Sequence, residues 1–69
     1  MASTKMIGNQ VRIARGEQRL SPEQFGAKYG VSGNTIRRLE DGRQKRLTSR
    51  SMLKISQGVG IPVGELFDL

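Results

Sequence analysis

Residues 20–42 carry two helix-start signals and two glycine stops, packed so closely that little but two very short helices and a tight turn fits between them. Ser21-Pro22-Glu23-Gln24 has an N-cap serine, a proline suited to the first helical position and a glutamine placed to complete a capping box. The helix it starts ends at Gly30, because glycine takes the positive φ that closes a helix without a Cβ penalty. Ser32 is the next N-cap, so Gly30-Val31-Ser32 is a three-residue turn. The second helix runs from Gly33 to Asp41, and Gly42 stops it. Val31 is apolar inside the turn and is expected to pack inward. Ile36 and Leu39 share one side of the second helix with Glu40. Asn34 and Arg38 lie on the opposite side, with Arg37 beside them.

The rest of the chain is helical by the same criteria. Ile7, Val11 and Ala14 recur at helical spacing over 7–19, with Arg12, Arg15 and Arg19 largely off that face. Ile13 does not fit the stripe; it is an exposed apolar residue or a subunit contact. Met52, Ile55 and Val59 form the stripe of a helix over 49–59, and a short helix over 63–67 holds Leu66 and Phe67. Between 42 and 49 lies a basic loop, Arg43-Gln44-Lys45-Arg46-Leu47-Thr48, with Leu47 as its core anchor. The expected fold is all-α: five helices at about 7–19, 21–29, 33–41, 49–59 and 63–67. Residues 1–5 are expected as a flexible arm and 6–69 as a single domain. The 69 residues suffice for one lean core and no more.

Composition narrows the function. The chain has no Cys and no His, which removes thiolate and imidazole metal ligands, disulfides and the usual neutral-pH general base. The six acids form no recognisable catalytic or metal-binding pair, so an enzyme is the weakest reading and no cofactor or small-molecule substrate is expected. No apolar run is long enough for a membrane span and no signal-peptide pattern opens the sequence, so a cytoplasmic protein is expected. Twelve Lys and Arg against six Asp and Glu give a formal charge of +6. Arg37, Arg38, Arg43, Lys45, Arg46 and Arg50 supply half of these cations from one stretch of fourteen residues, the distribution of a nucleic-acid binder. With three aromatics in all, a stacking surface for single strands is disfavoured, and Phe25 and Tyr29 read as core.

Two helices joined by a tight glycine-containing turn describe a helix-turn-helix, whose second helix enters the DNA major groove. The string LSPEQFGAKYGVSGNTIRRLEDGR resembles that unit in the lambda-repressor and Cro-like (XRE-type) family of bacterial and phage transcriptional regulators. Ile7-Gly8-x-x-Val11-Arg12-x-x-Arg15 is similar to the family's first helix. Leu53-Lys54-Ile55-Ser56 and Gly60-Ile61-Pro62-Val63-Gly64-Glu65-Leu66-Phe67 are similar to its fourth and fifth. The resemblance covers nearly the whole chain after Met6. It implies a repressor that binds double-stranded DNA as a homodimer on a pseudo-palindromic operator.

By position, the resemblance implies base contacts from Gly33, Asn34 and Arg38, with Arg37 reading a base or a phosphate; its spacing of four from Asp41 also allows a local pair. The resemblance implies phosphate contacts from Thr35, Arg43, Lys45 and Arg46, and a structural salt bridge between Arg15 and Glu40. Leu66, Phe67 and Leu69 read as closure of the core or as a dimer seam. The sequence departs from the family where Pro22 replaces a phosphate-binding glutamine, a role for which Gln24 is the expected substitute. It departs again at Gly26, where alanine is commoner, and Gly33 offers no side chain to a base. The alternative functions are an antitoxin that binds a toxin as well as DNA, and an RNA-binding domain.

Overall fold

The computed structural model describes residues 4–44 and 46–67, which form five helices: α1 (Thr4–Gln18), α2 (Pro22–Tyr29), α3 (Gly33–Glu40), α4 (Ser49–Val59) and α5 (Val63–Leu66). There is no strand among the described residues. The starts of α2, α3 and α4 are each fixed by a hydroxyl cap: Ser21, Ser32 and Thr48 accept from the backbone N–H three residues on. At Ser21 the capping box is complete, since Gln24 Oε1 accepts from the Ser21 N–H at 2.8 Å. Gly30 closes α2 at φ 81°, and the Val31 N–H turns back to the Gly26 carbonyl at 2.8 Å. Gly42, at φ 74°, closes α3 with a paired set of return bonds, its own N–H to Leu39 O and that of Arg43 to Arg38 O.

α1 begins one turn earlier than its apolar stripe suggests. Thr4 and Lys5 belong to it rather than to an arm, and residues 1–3 lie outside the described residues. The first turn carries no acidic residue, and Thr4 and Lys5 precede the first member of the apolar stripe, Ile7; Gly8, a poor helix former, follows it. The structure gives Gly8 another task. A Cβ built on it would lie 1.9 Å from the Leu39 carbonyl oxygen, so α1 and α3 meet backbone to backbone at this residue. Gly26 does the same inside the α2–α3 unit, where a Cβ would stand 2.2 Å from the Val31 oxygen.

The core is contributed by every helix and by the turn: Ile7, Val11 and Ala14 from α1, Phe25 from α2, Val31, Ile36 and Leu39 from the turn and α3, Ile55 from α4 and Leu66 from α5. Of the α4 stripe only Ile55 is fully buried, with Val59 packed partly against the core. The aromatic rings of Phe25 and Tyr29 tilt together with centroids 4.8 Å apart, and α4 presses on them through Gly58. Leu47 anchors the basic loop to the same core. Gln18 ties three elements at once: its amide NH2 donates to Gly58 O at 3.1 Å, while its carbonyl oxygen accepts from Tyr29 Oη at 2.8 Å and from Lys28 Nζ at 2.9 Å. Ile13, off the stripe, is 56% exposed.

Gly8→Ala separates propensity from packing. Helix propensity alone favours alanine over glycine by about 1 kcal/mol. The backbone contact predicts the opposite sign, a loss of about 1–3 kcal/mol as α1 is pushed off α3. Urea unfolding, read as a midpoint shift at constant slope, decides between them.

Candidate nucleic-acid interface

α3 presents two chemically distinct sides. Ile36 and Leu39 are fully buried, and at about 1.5–3 kcal/mol for each side chain removed from water they seat the helix on the body. The other side is polar and open: Asn34, Arg37 and Arg38 are all exposed. Thr35 is half-buried and engaged in the cap, with its N–H and its hydroxyl both on Ser32 Oγ, at 3.1 and 2.9 Å. Gly33 lies against α2: a Cβ there would be 3.1 Å from Glu23 Cα and 3.3 Å from Glu23 Oε2.

The missing side chain at Gly33 brings a carboxylate to the start of α3. Glu23 Oε2 forms an ion pair with Arg37 Nη2, and Arg37 Nη1 donates to Asn34 Oδ1 at 3.3 Å. Glu23, Arg37 and Asn34 therefore form one continuous polar chain across the outer face. Asp41, the local partner open to Arg37 by sequence, is displaced in that role because Glu23 approaches from the neighbouring helix. Arg38 shares the outer face. Arg43 and Arg46 are exposed in the loop that follows, where Gln44 braces the backbone by donating to Arg46 O at 2.6 Å. Lys45 lies outside the described residues. Gln24 sits at the α2 end of the site, with its carbonyl oxygen committed to the Ser21 cap.

The far end of α3 is held by charge. Arg15 grips Glu40 with two bonds, Nε to Oε2 at 2.9 Å and Nη2 to Oε1 at 2.8 Å, and its third nitrogen donates to Leu20 O at 3.1 Å. Arg12 adds a longer contact to Oε1 at 3.4 Å and a bond to the Glu40 backbone carbonyl at 3.1 Å. The Glu40 side chain is only 8% exposed. Burial pushes its carboxyl pKa up, but the hydrogen bonds and charges of Arg15 and Arg12 outweigh that and hold it below the ordinary range. The same bonds raise the Arg15 guanidinium above its ordinary value. Sequence spacing does not point to the part played by Arg12, to the hub at Gln18 or to the Glu23–Arg37 pair. All three join positions far apart in the chain, and periodicity carries no signal for such contacts.

At the other terminus Leu66 is buried and closes the core, Phe67 packs partly against it, and Leu69 lies outside the described residues. A cleft of about 430 Å³ separates α1 from α5, with Met6, Gln10, Ile61 and Glu65 in its walls. No cluster of His, Cys, Asp or Glu suited to a metal ion occurs among the described residues, and no helix there is long and apolar enough to cross a membrane.

A family model described as a helix-turn-helix domain matches residues 7–68 of the chain. No curated protein and no solved structure matches it.

Removing Arg15 leaves Glu40 buried with only the weaker Arg12 contact. Arg15→Ala is expected to cost about 3 kcal/mol, the low end for breaking a buried pair because Arg12 remains. The pH dependence has a definite sign. A carboxyl depressed in the folded state stabilises the fold fully above its unfolded pKa, near 4.5, and that contribution is lost as pH falls through the lower folded value. Glu40→Gln is expected to be less stable at pH 6 and to show a shallower loss between about pH 5 and 3, checked by urea midpoints across that range.

Proposed function

The chain belongs to the helix-turn-helix domain family, and from that premise we propose that it is a sequence-specific regulator that reads double-stranded DNA with α3 in the major groove. One observation carries this reading: α3 is anchored by Ile36 and Leu39 at 0% exposure while Asn34, Arg37 and Arg38 stand in solvent on its other side. The major groove, about 12 Å wide, accepts one helix, and each base pair displays a distinct set of donors and acceptors there.

The roles follow from chemistry and position. Arg38 is the direct reader, with guanine O6 and N7 as its bidentate partners. Asn34 and Arg37 read alongside it from the first turns of the helix. The bare side of Gly33 is taken up by Glu23 of α2, so Gly33 offers a base only its backbone. Thr35, Gln24, Arg43, Lys45 and Arg46 fix the register on phosphates, which position the protein without carrying sequence information. Arg15 and Glu40 hold the reading helix to the body and touch no DNA.

Two copies on a pseudo-palindrome, with half-site centres about 34 Å apart, double the few base contacts that one domain of this size makes. The proposed dimer seam is Leu66, Phe67 and Leu69, near α5. Repression then follows from occlusion of a promoter in a bacterial nucleoid, whether the chain is bacterial or phage-encoded.

Two substitutions separate reading from gripping. Arg38→Ala is expected to lose about 1–3 kcal/mol of discrimination at a single base pair and to relax the sequence selected there. Arg46→Ala is expected to weaken all duplexes about equally and to reduce the salt slope of binding by about 1. Site selection from random duplex DNA, followed by titrations at several salt concentrations, measures both. An unchanged site and affinity for Arg38→Ala would exclude α3 as the reading helix.

A further inference from the structure

The Glu23–Arg37 pair is poorly explained as a stabilising contact. Both partners are half exposed, at 53% and 52%, and exposed pairs contribute little to folding. Its location is more informative. Glu23 is in the first turn of α2, and the bare Cα of Gly33 lets its carboxylate reach the start of α3, where the helix dipole also favours a negative charge. There it holds one end of the Arg37 guanidinium. Another nitrogen of the same group is bonded to Asn34 Oδ1. The consequences concern binding. Arg37, an always-charged group that is otherwise free to grip a phosphate of any sequence, is tethered and partly neutralised. Asn34 Oδ1 has one of its two acceptor sites taken by this bond and keeps the other, with the amide NH2, for a ligand.

We propose that Glu23 is a specificity-determining positioning residue: acting through Arg37, it withholds that cation from phosphates and holds its remaining N–H groups for the base edges. The tethered Arg37 guanidinium offers only N–H groups. The base edge that complements them is guanine, whose N7 and O6 are both acceptors. This deepens the proposed function and rests on it, because it assigns a base preference and a control residue to the same helix face.

The test uses the full chain, a duplex carrying its selected site and a mixed-sequence duplex as competitor, at one fixed salt concentration. Wild type, Glu23→Gln, Arg37→Ala and the double variant are compared, with the urea midpoint measured on each. Glu23→Gln is expected to keep its unfolding midpoint, to bind the mixed-sequence duplex more tightly, and to lose about tenfold in the ratio of specific to non-specific affinity. Repeated site selection with this variant is expected to relax guanine at one position. In the Arg37→Ala background the Glu23→Gln change is expected to have no further effect on the ratio. A Glu23→Gln ratio equal to wild type, or an equal change with and without Arg37, overturns the proposal while leaving the reading helix intact. A wild type that does not discriminate between the two duplexes overturns the proposed function and this inference with it.

Discussion

An eight-residue helix cannot hold its own shape in water. Fewer hydrogen bonds form than are needed to offset the cost of nucleation, and isolated helices shorter than about 12–15 residues are marginal. α3 is such a helix, so it exists because Ile36 and Leu39 are removed from water against α1 and α2. The burial fixes which way the remaining residues face. With Ile36 and Leu39 committed to the core on one side, Asn34, Arg37 and Arg38 are left on the exposed side. The polar surface and the fold therefore have one cause.

Burial alone leaves a short helix free to slide and rotate, and the structure restrains both ends. At the start, Ser32 caps the first turn and Gly33 allows α2 to lie flush against it. At the end, Arg15 grips Glu40 in two places and Arg12 holds the Glu40 carbonyl. Between them, Gly8 admits α1 to backbone contact with Leu39. The arrangement suits the proposed role, because base discrimination of about 1–3 kcal/mol per contact survives only if donors are held in place.

Much of this is legible in the sequence, because local rules act locally. Ser21-Pro22-Glu23-Gln24 and Gly30-Val31-Ser32 specify a cap, a stop and a second cap from neighbouring residues alone, and α2 and α3 appear within one residue of those marks. Apolar spacing likewise identifies Ile7, Val11, Ala14, Ile36, Leu39 and Ile55 as core. The start of α1 is not legible, because its first turn precedes Ile7, where the apolar stripe begins, and the close contact of Gly8 with distant Leu39 carries no sequence signal. The pairing of Arg37 is not legible either. Asp41 is its neighbour in sequence, whereas Glu23 becomes one only when Gly33 lets two helices meet. Sequence spacing reports contacts within an element, and the outer face of α3 is finished by contacts between elements.

The central claim is that the outward side of α3 is the surface that meets DNA. Amide and side-chain NMR shifts recorded while the protein is titrated with a mixed-sequence duplex at low salt address it residue by residue. The account predicts that Asn34, Arg37, Arg38 and the loop through Arg46 shift together while the Ile36 and Leu39 methyls keep their positions. Shifts concentrated in the cleft between α1 and α5 or on the outer side of α4, with α3 undisturbed, would contradict it.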